Sequence, residues 1–221
     1  FRFIDPDGMG VTDDYKLRKN GKIEFVRKTD DQTDKLYATN AKGEINEKKS
    51  IEVKKGILDN VKTGVAQGIE DGKQVKKEYD YMEISNNQSG AKALFEFAAN
   101  NSNVEFTNLV LSDNRSIVLT SGEFGGSISA SGVSQNKDLN VSASSVVEQN
   151  HSHPLGIKEP SGAPVGDENA TGDVGNARAL HKQNPNIRFN IYSPSDGSYT
   201  PYDGYIKKPP LPPVIFTVPR K

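Results

Sequence analysis

The sequence predicts an α+β fold, a small mixed β-sheet flanked by helices with a strand-rich N-terminal extension. Three observations lead there. Residues 1–80 carry 17 Lys and Arg with 16 Asp and Glu, against 11 and 13 in the remaining 141 positions, which places a soft boundary near Tyr79–Ile84. The first part reads as short alternating stretches broken by turn dipeptides, with Asn20-Gly21 the clearest. In the second part, segments of helical periodicity alternate with apolar, strand-like ones.

In the extension, Lys22–Arg27 alternates weakly, Leu36-Tyr37-Ala38 runs to the turn-like Lys42-Gly43, and Ile51 and Val53 alternate with charges. Residues 57–69 carry apolar side chains at 57, 58, 61, 65, 66 and 69, but Gly64 and Gly68 weaken a helix there. The acidic run Asp30, Asp31, Asp34 lacks calcium-loop spacing and reads as a solvated turn. Beyond the boundary, residues 90–99 place Ala91, Leu94, Phe95 and Ala98 on one helical face, with Ser89 as N-cap. Strands are expected over Val104–Leu111 and Ser116–Thr120, joined by a turn at 112–115, and over Val141–Glu148. Residues 121–136 are rich in Gly and Ser and read as a flexible loop, and the stretch from Leu155 to Gly172 as a Pro/Gly-rich one. A helix over Asp173–Lys182 and a last hairpin, Ile187–Tyr192 with Ser198–Tyr202, precede a Pro-rich tail expected to be extended.

Composition narrows the chemistry. The 221 residues can bury a core without disulfides, and the absence of Cys excludes thiolate nucleophiles, Cys-ligated zinc and iron–sulfur clusters. A net charge of −1 gives no argument for nucleic acid or membrane as partner, and no apolar run approaches a bilayer span. A chain that starts at Phe1, with no signal-peptide pattern, reads as a piece of something longer. With three histidines in all, metal or imidazole chemistry must use His151, His153 or His181.

His151-Ser152-His153-Pro154 follows a predicted strand, where residues two apart project to the same side and two imidazoles can meet one metal ion. A catalytic zinc takes three protein ligands and leaves a fourth position open. The third ligand here is His181 or a carboxylate, Asp167 or Asp173. Asp173 is favoured because it opens a helix, although a carboxylate there also serves as an ordinary cap. Water activation needs a general base. Glu105, near the start of an apolar strand, stands out ahead of Glu123 and Glu148.

This order of elements, with a strand-borne Glu, then HxHP, then Pro-Ser and an Asp at a helix start, resembles the JAMM (JAB/MPN) metalloprotease domain, whose pattern is a Glu followed by H-x-H-x(7)-S-x-x-D. His151, His153 and Ser161 fit that spacing, and Glu105 precedes His151 by 46 residues. The last step departs, because Pro164 stands three after Ser161, so residues 162–172 must loop out before Asp173 supplies the ligand, and Asp167 stays a candidate. The chain is most similar to JAB-like toxin domains at the C-termini of bacterial Rhs proteins, with HSHP at 151–154, PSG at 160–162 and TGD at 171–173. The opening Arg2–Met9, with its Asp5-Pro6-Asp7-Gly8 turn, resembles the end of an Rhs core.

The resemblance implies a JAMM/cytidine-deaminase-like sheet and a division into an Rhs-core-like end (1–10), a strand-rich region of unassigned role (11–80), a JAMM-like domain (81–205) and the tail (206–221). It implies Zn²⁺ on His151, His153 and Asp173, Glu105 as general base, and Ser161 at the oxyanion of a peptide or isopeptide hydrolysis. It further implies a protein or peptide substrate, a cognate immunity protein, and delivery into a target cell's cytoplasm. An inactive JAMM-like binding module, or a structural Rhs extension in which the His pair is incidental, are the other readings.

Overall fold

A computed structural model describes residues 12–70, 73–123, 128–162 and 171–204. The Rhs-like opening, Asp167 and the Pro-rich tail lie outside the described residues.

The extension forms a four-stranded sheet from β1 (Thr12–Leu17), β2 (Ile23–Thr29), β3 (Thr33–Thr39) and β4 (Ile45–Lys54), in the order β2-β1-β3-β4. Its pairs are antiparallel except β1 with β3. Gly21, at φ 83°, makes the β1–β2 turn that Asn20-Gly21 announces. Residues 57–69 are no helix: a single 3₁₀ turn, Leu58–Asn60, leads into β5 (Lys62–Glu70). Gly64 is required in that strand, because a Cβ there would lie 2.4 Å from the Tyr79 ring.

β5 and the long β6 (Lys73–Ser85) belong to the second sheet, which adds β7 (Thr107–Leu111), β8 (Arg115–Thr120), β9 (Val146–Ser152), β10 (Arg188–Ser193) and β11 (Ser198–Tyr202). The seven strands run β11-β10-β9-β7-β8-β6-β5. The charge-density boundary at Tyr79–Ile84 therefore falls inside β6. In this sheet only β9 and β10 are parallel, which demands a crossover, and α3 (Gly172–His181) provides it. The fold is α+β, with the strand-rich N-terminal region expected of the sequence.

Helix α1 (Gln88–Asn101) lies between the sheets, burying Ala91, Leu94, Phe95 and Ala98 against Met82, Ile84 and Val118 of one and Tyr15, Leu17 and Leu36 of the other. Its cap is Asn87 rather than Ser89: the Asn87 side chain accepts the Gly90 amide at 3.0 Å. Fourteen residues are marginal as an isolated helix, so this two-sided burial is what holds it. On the opposite face of the large sheet, α2 (Ala130–Val133) and α3 cover Leu109, Ile117, Leu119 and Ile191. Part of the expected Gly/Ser loop is thus helical, and the strand expected over 141–148 lies later, at 146–152, after a 3₁₀ turn at Ala143–Ser145.

Candidate metal centre

His151 belongs to β9 and projects to the α3 side of the sheet, among apolar neighbours that leave it wholly buried. His153 follows just past the strand end, on the same side by the two-residue period. The neighbouring strand brings the carboxylate. Thr107 pairs with His151, and one step on, the Ser152 amide donates to the Phe106 carbonyl at 2.9 Å while the Phe106 amide donates to Ser152 Oγ at 3.0 Å. Glu105 follows at that end of the strand, near enough for its charge to act on both His153 and Tyr202. Glu105 sits just before β7 rather than within it. Its backbone is fixed by a 3.0 Å bond to the Glu123 carbonyl and a 2.7 Å bond from Thr120 Oγ1.

Asp173 lies in the first turn of α3, where the helix dipole favours a carboxylate, and Thr171 occupies the cap position. Ser161 fastens it: the Ser161 amide and hydroxyl both donate to Asp173 Oδ2, at 2.7 and 2.8 Å, and the Asp173 amide donates back to Ser161 Oγ at 3.1 Å. The Val174 amide adds a bond to the Ser161 carbonyl at 3.0 Å. Two glycines make this approach possible. A Cβ at Gly162 would lie 2.1 Å from the Thr171 carbonyl oxygen, and one at Gly172 would lie 2.6 Å from Ser161 Oγ. Both have positive φ, 116° and 62°. Ser161 and Asp173, twelve positions apart, are thereby held in direct contact.

His151 Nε2 lies 3.1 Å from His153 Nε2 and 3.1 Å from Asp173 Oδ1, and His153 Nε2 lies 3.4 Å from Asp173 Oδ2. With one ligand atom taken from each residue, the atoms lie within 4.8 Å of one another, a group compact enough to hold one ion. Among the described residues it is the one His/Cys/Asp/Glu group that converges in this way. His153 Nδ1 lies 2.9 Å from the Ile157 carbonyl, which only accepts, so Nδ1 carries the proton and the lone pair of the neutral ring sits on Nε2, facing the group. Burial opposes ionisation of Asp173, yet His151, His153 and the Ser161 amide hold its carboxyl far below the usual carboxylate range. Burial likewise disfavours the His153 imidazolium, but Asp173 and then Glu105 push its pKa above the ordinary value.

The other candidates are engaged elsewhere. Glu123 pairs with Lys77 at 3.0 Å, and Glu148 pairs with Arg188 at 2.7 Å from the opposite face of β9. His181 Nε2 lies 2.9 Å from the Ile187 carbonyl, and its ring packs edge-on against Phe189. One neighbour of the group escaped the sequence reading. Tyr202, in β11, stands edge-on to His151 with ring centroids 5.8 Å apart, and its pKa is pushed up by burial and by the charges of Asp173 and Glu105. Its hydroxyl and His151 Nδ1 are both buried without a hydrogen-bonding partner. No local motif marks it, because only the β10–β11 pairing brings it near.

Residues 83–178 match the family model of JAB-like toxin 1. The likeness to JAB-like toxin domains read from the HSHP motif holds for this span. The matched JAB-like segment runs from β6 into α3 and contains Glu105, His151, His153, Ser161 and Asp173. No curated protein and no solved structure matches the chain.

Proposed function

We propose that the JAB-like segment is a zinc-dependent peptidase or isopeptidase of JAMM type, acting as the C-terminal toxin of an Rhs-type protein. The convergence of one ligand atom each from His151, His153 and Asp173 within 4.8 Å carries this reading. The spacing after Ser161 departs from the JAMM pattern, but the 2.8 Å hydrogen bond between Ser161 and Asp173 supports the active reading over an inactive binding module.

His151, His153 and Asp173 would hold the ion, two neutral imidazoles and one carboxylate being a donor set suited to zinc. A bound zinc supplies Lewis acidity, polarising a carbonyl and letting water act as a nucleophile near neutral pH. Glu105, whose charge acts on His153, takes the proton of the attacking water and returns it to the leaving amine. The Ser161 amide keeps Asp173 in place, and the Ser161 hydroxyl, with one proton to give, leaves Asp173 Oδ2 to donate to the oxyanion as charge develops there. The polypeptide substrate is a protein of the target cell, reached after delivery into its cytoplasm, and an immunity protein guards the producer. Among the described residues no helix is long and apolar enough to cross a membrane.

The test is Glu105→Gln. The variant keeps its zinc, and hydrolysis falls by about 10²–10⁴-fold, the usual contribution of a general base, with toxicity in target cells lost alongside. Full toxicity with this variant would remove Glu105 from the mechanism.

A further inference from the structure

Four large apolar side chains are strongly exposed among the described residues, and two of them, Leu155 at 69% and Ile157 at 50%, lie in one short loop directly after His153. The other two have other settings: Phe25 stacks edge-on with Tyr15, and Val65 lies on β5 at the border of the large sheet. Isolated exposed apolar residues are ordinary, but a pair concentrated beside a catalytic group marks an interaction site.

The loop is anchored at successive positions. The Gly156 amide donates to the His153 carbonyl at 2.8 Å, the Ile157 carbonyl accepts from His153 Nδ1 at 2.9 Å, and Lys158 pairs with Asp196. Gly156 has φ 73° and presses on the β10–β11 turn so closely that a Cβ there would lie 2.6 Å from Ser195 Oγ. The backbone between the two aliphatic residues thus faces the protein, and Leu155 and Ile157 are the side chains left outward. A floppy loop would hide them at little cost. This one holds them out, joined through one hydrogen bond to the imidazole of the candidate centre.

We infer that Leu155 and Ile157 form a substrate lip that selects an extended polypeptide with a branched aliphatic or aromatic side chain within two residues of the scissile bond. The inference rests on the peptidase reading for the position of that bond. An extended chain advances about 3.3 Å per residue, so a side chain one or two positions from the reacting carbonyl reaches the loop that holds His153. Lys158 and Asp196 pair with each other, which leaves the exposed Glu159 as the charged neighbour of a lip whose own two side chains are aliphatic and suited to an apolar group.

The experiment compares the full chain with its Leu155→Ser/Ile157→Ser variant, both zinc-loaded, on a library of peptides from a digested bacterial proteome. Cleavage sites are read by mass spectrometry. The wild type should favour Leu, Ile, Val, Phe or Met within two positions of the cut by about tenfold over Ser or Gly. The variant should lose that preference with its zinc content and melting temperature unchanged, since both residues are exposed. An equal preference in the two proteins, or none in the wild type, overturns the lip. A parallel arm retains uncut peptides on immobilised, zinc-loaded Glu105→Gln protein with and without the two Ser substitutions. If the wild type cleaves nothing, the peptidase reading fails; enrichment of apolar peptides that depends on 155 and 157 then still supports the lip, and its absence overturns it. A dimer that the double substitution converts to monomer would show that the lip seats a second copy, and would also overturn the inference.

Discussion

Ser161 and Asp173 show how much one pair of residues settles. Twelve positions apart, they exchange three hydrogen bonds, and the carboxylate that results is half-buried, ionised and aimed at two imidazoles. A pH dependence follows. Zinc displaces protons from its ligands, so apparent affinity falls wherever the metal-free site takes them up. Asp173 stays ionised throughout the physiological range and contributes nothing to that fall. His153, with its pKa raised by Asp173 against the pull of burial, begins to take its proton above the ordinary 6.5. Competition titration with a chelating dye should therefore show zinc affinity already declining as pH drops toward 6.5, and a flat profile from pH 8 to 6 would contradict this. Tyr202 gives a prediction of the opposite kind. Its hydroxyl is buried with no hydrogen-bonding partner, so Tyr202→Phe should leave denaturant stability unchanged or raise it, whereas a loss of about 1–2 kcal/mol would reveal a partner. At this scale the sequence was legible where chemistry is local. The HxH pair and the Glu are recognisable from spacing and strand context. Asp173 was reachable only as one of two acids, and Tyr202 not at all, because its place depends on a strand pairing that no short window contains.

Among the elements, the parallel β9–β10 pair has the largest consequence. Its crossover forces the chain away from the sheet after His153 and back through α3, which delivers Asp173 to the strand end. β9 starts later than its apolar pattern suggests because Val141 and Val146 look alike as apolar residues, while the capping box of Ser142 and Ser145 makes a 3₁₀ turn between them. The cap of α1 was shifted for a related reason: Asn87 and Ser89 are both good caps, and only tertiary packing selects between them. Among the described residues, Gln135 pairs with the exposed border strand β5. Gln135 accepts the Gln67 amide through Oε1 at 2.8 Å and donates Nε2 to the Gln67 carbonyl at 3.0 Å, imitating a further strand. Gln135→Ala should cost about 0.5–1.5 kcal/mol and speed amide exchange at Gln67 selectively. Unchanged exchange at Gln67 would show that the pairing does not protect the edge in solution.

For the molecule as a whole, the α+β class was legible from alternating patterns, but the layering was not. The drop in charge density near residue 80 reflects the exposed, solvated surface of the first sheet and of β5 and β6, whereas the topology carries β6 across that point into the large sheet. Burying α1 between two sheets couples the N-terminal region to the layer beneath the candidate centre. Metal bound only by the folded chain adds to its stability, by about 2.7 kcal/mol at a hundred times its dissociation constant. All of this turns on whether His151, His153 and Asp173 hold an ion. The most direct measurement is metal content by mass spectrometry on the purified chain, beside His151→Ala. The account predicts about one zinc per chain, lost in the variant. A chain that takes up no metal after zinc is supplied, or a His151→Ala variant that keeps it, would contradict the account.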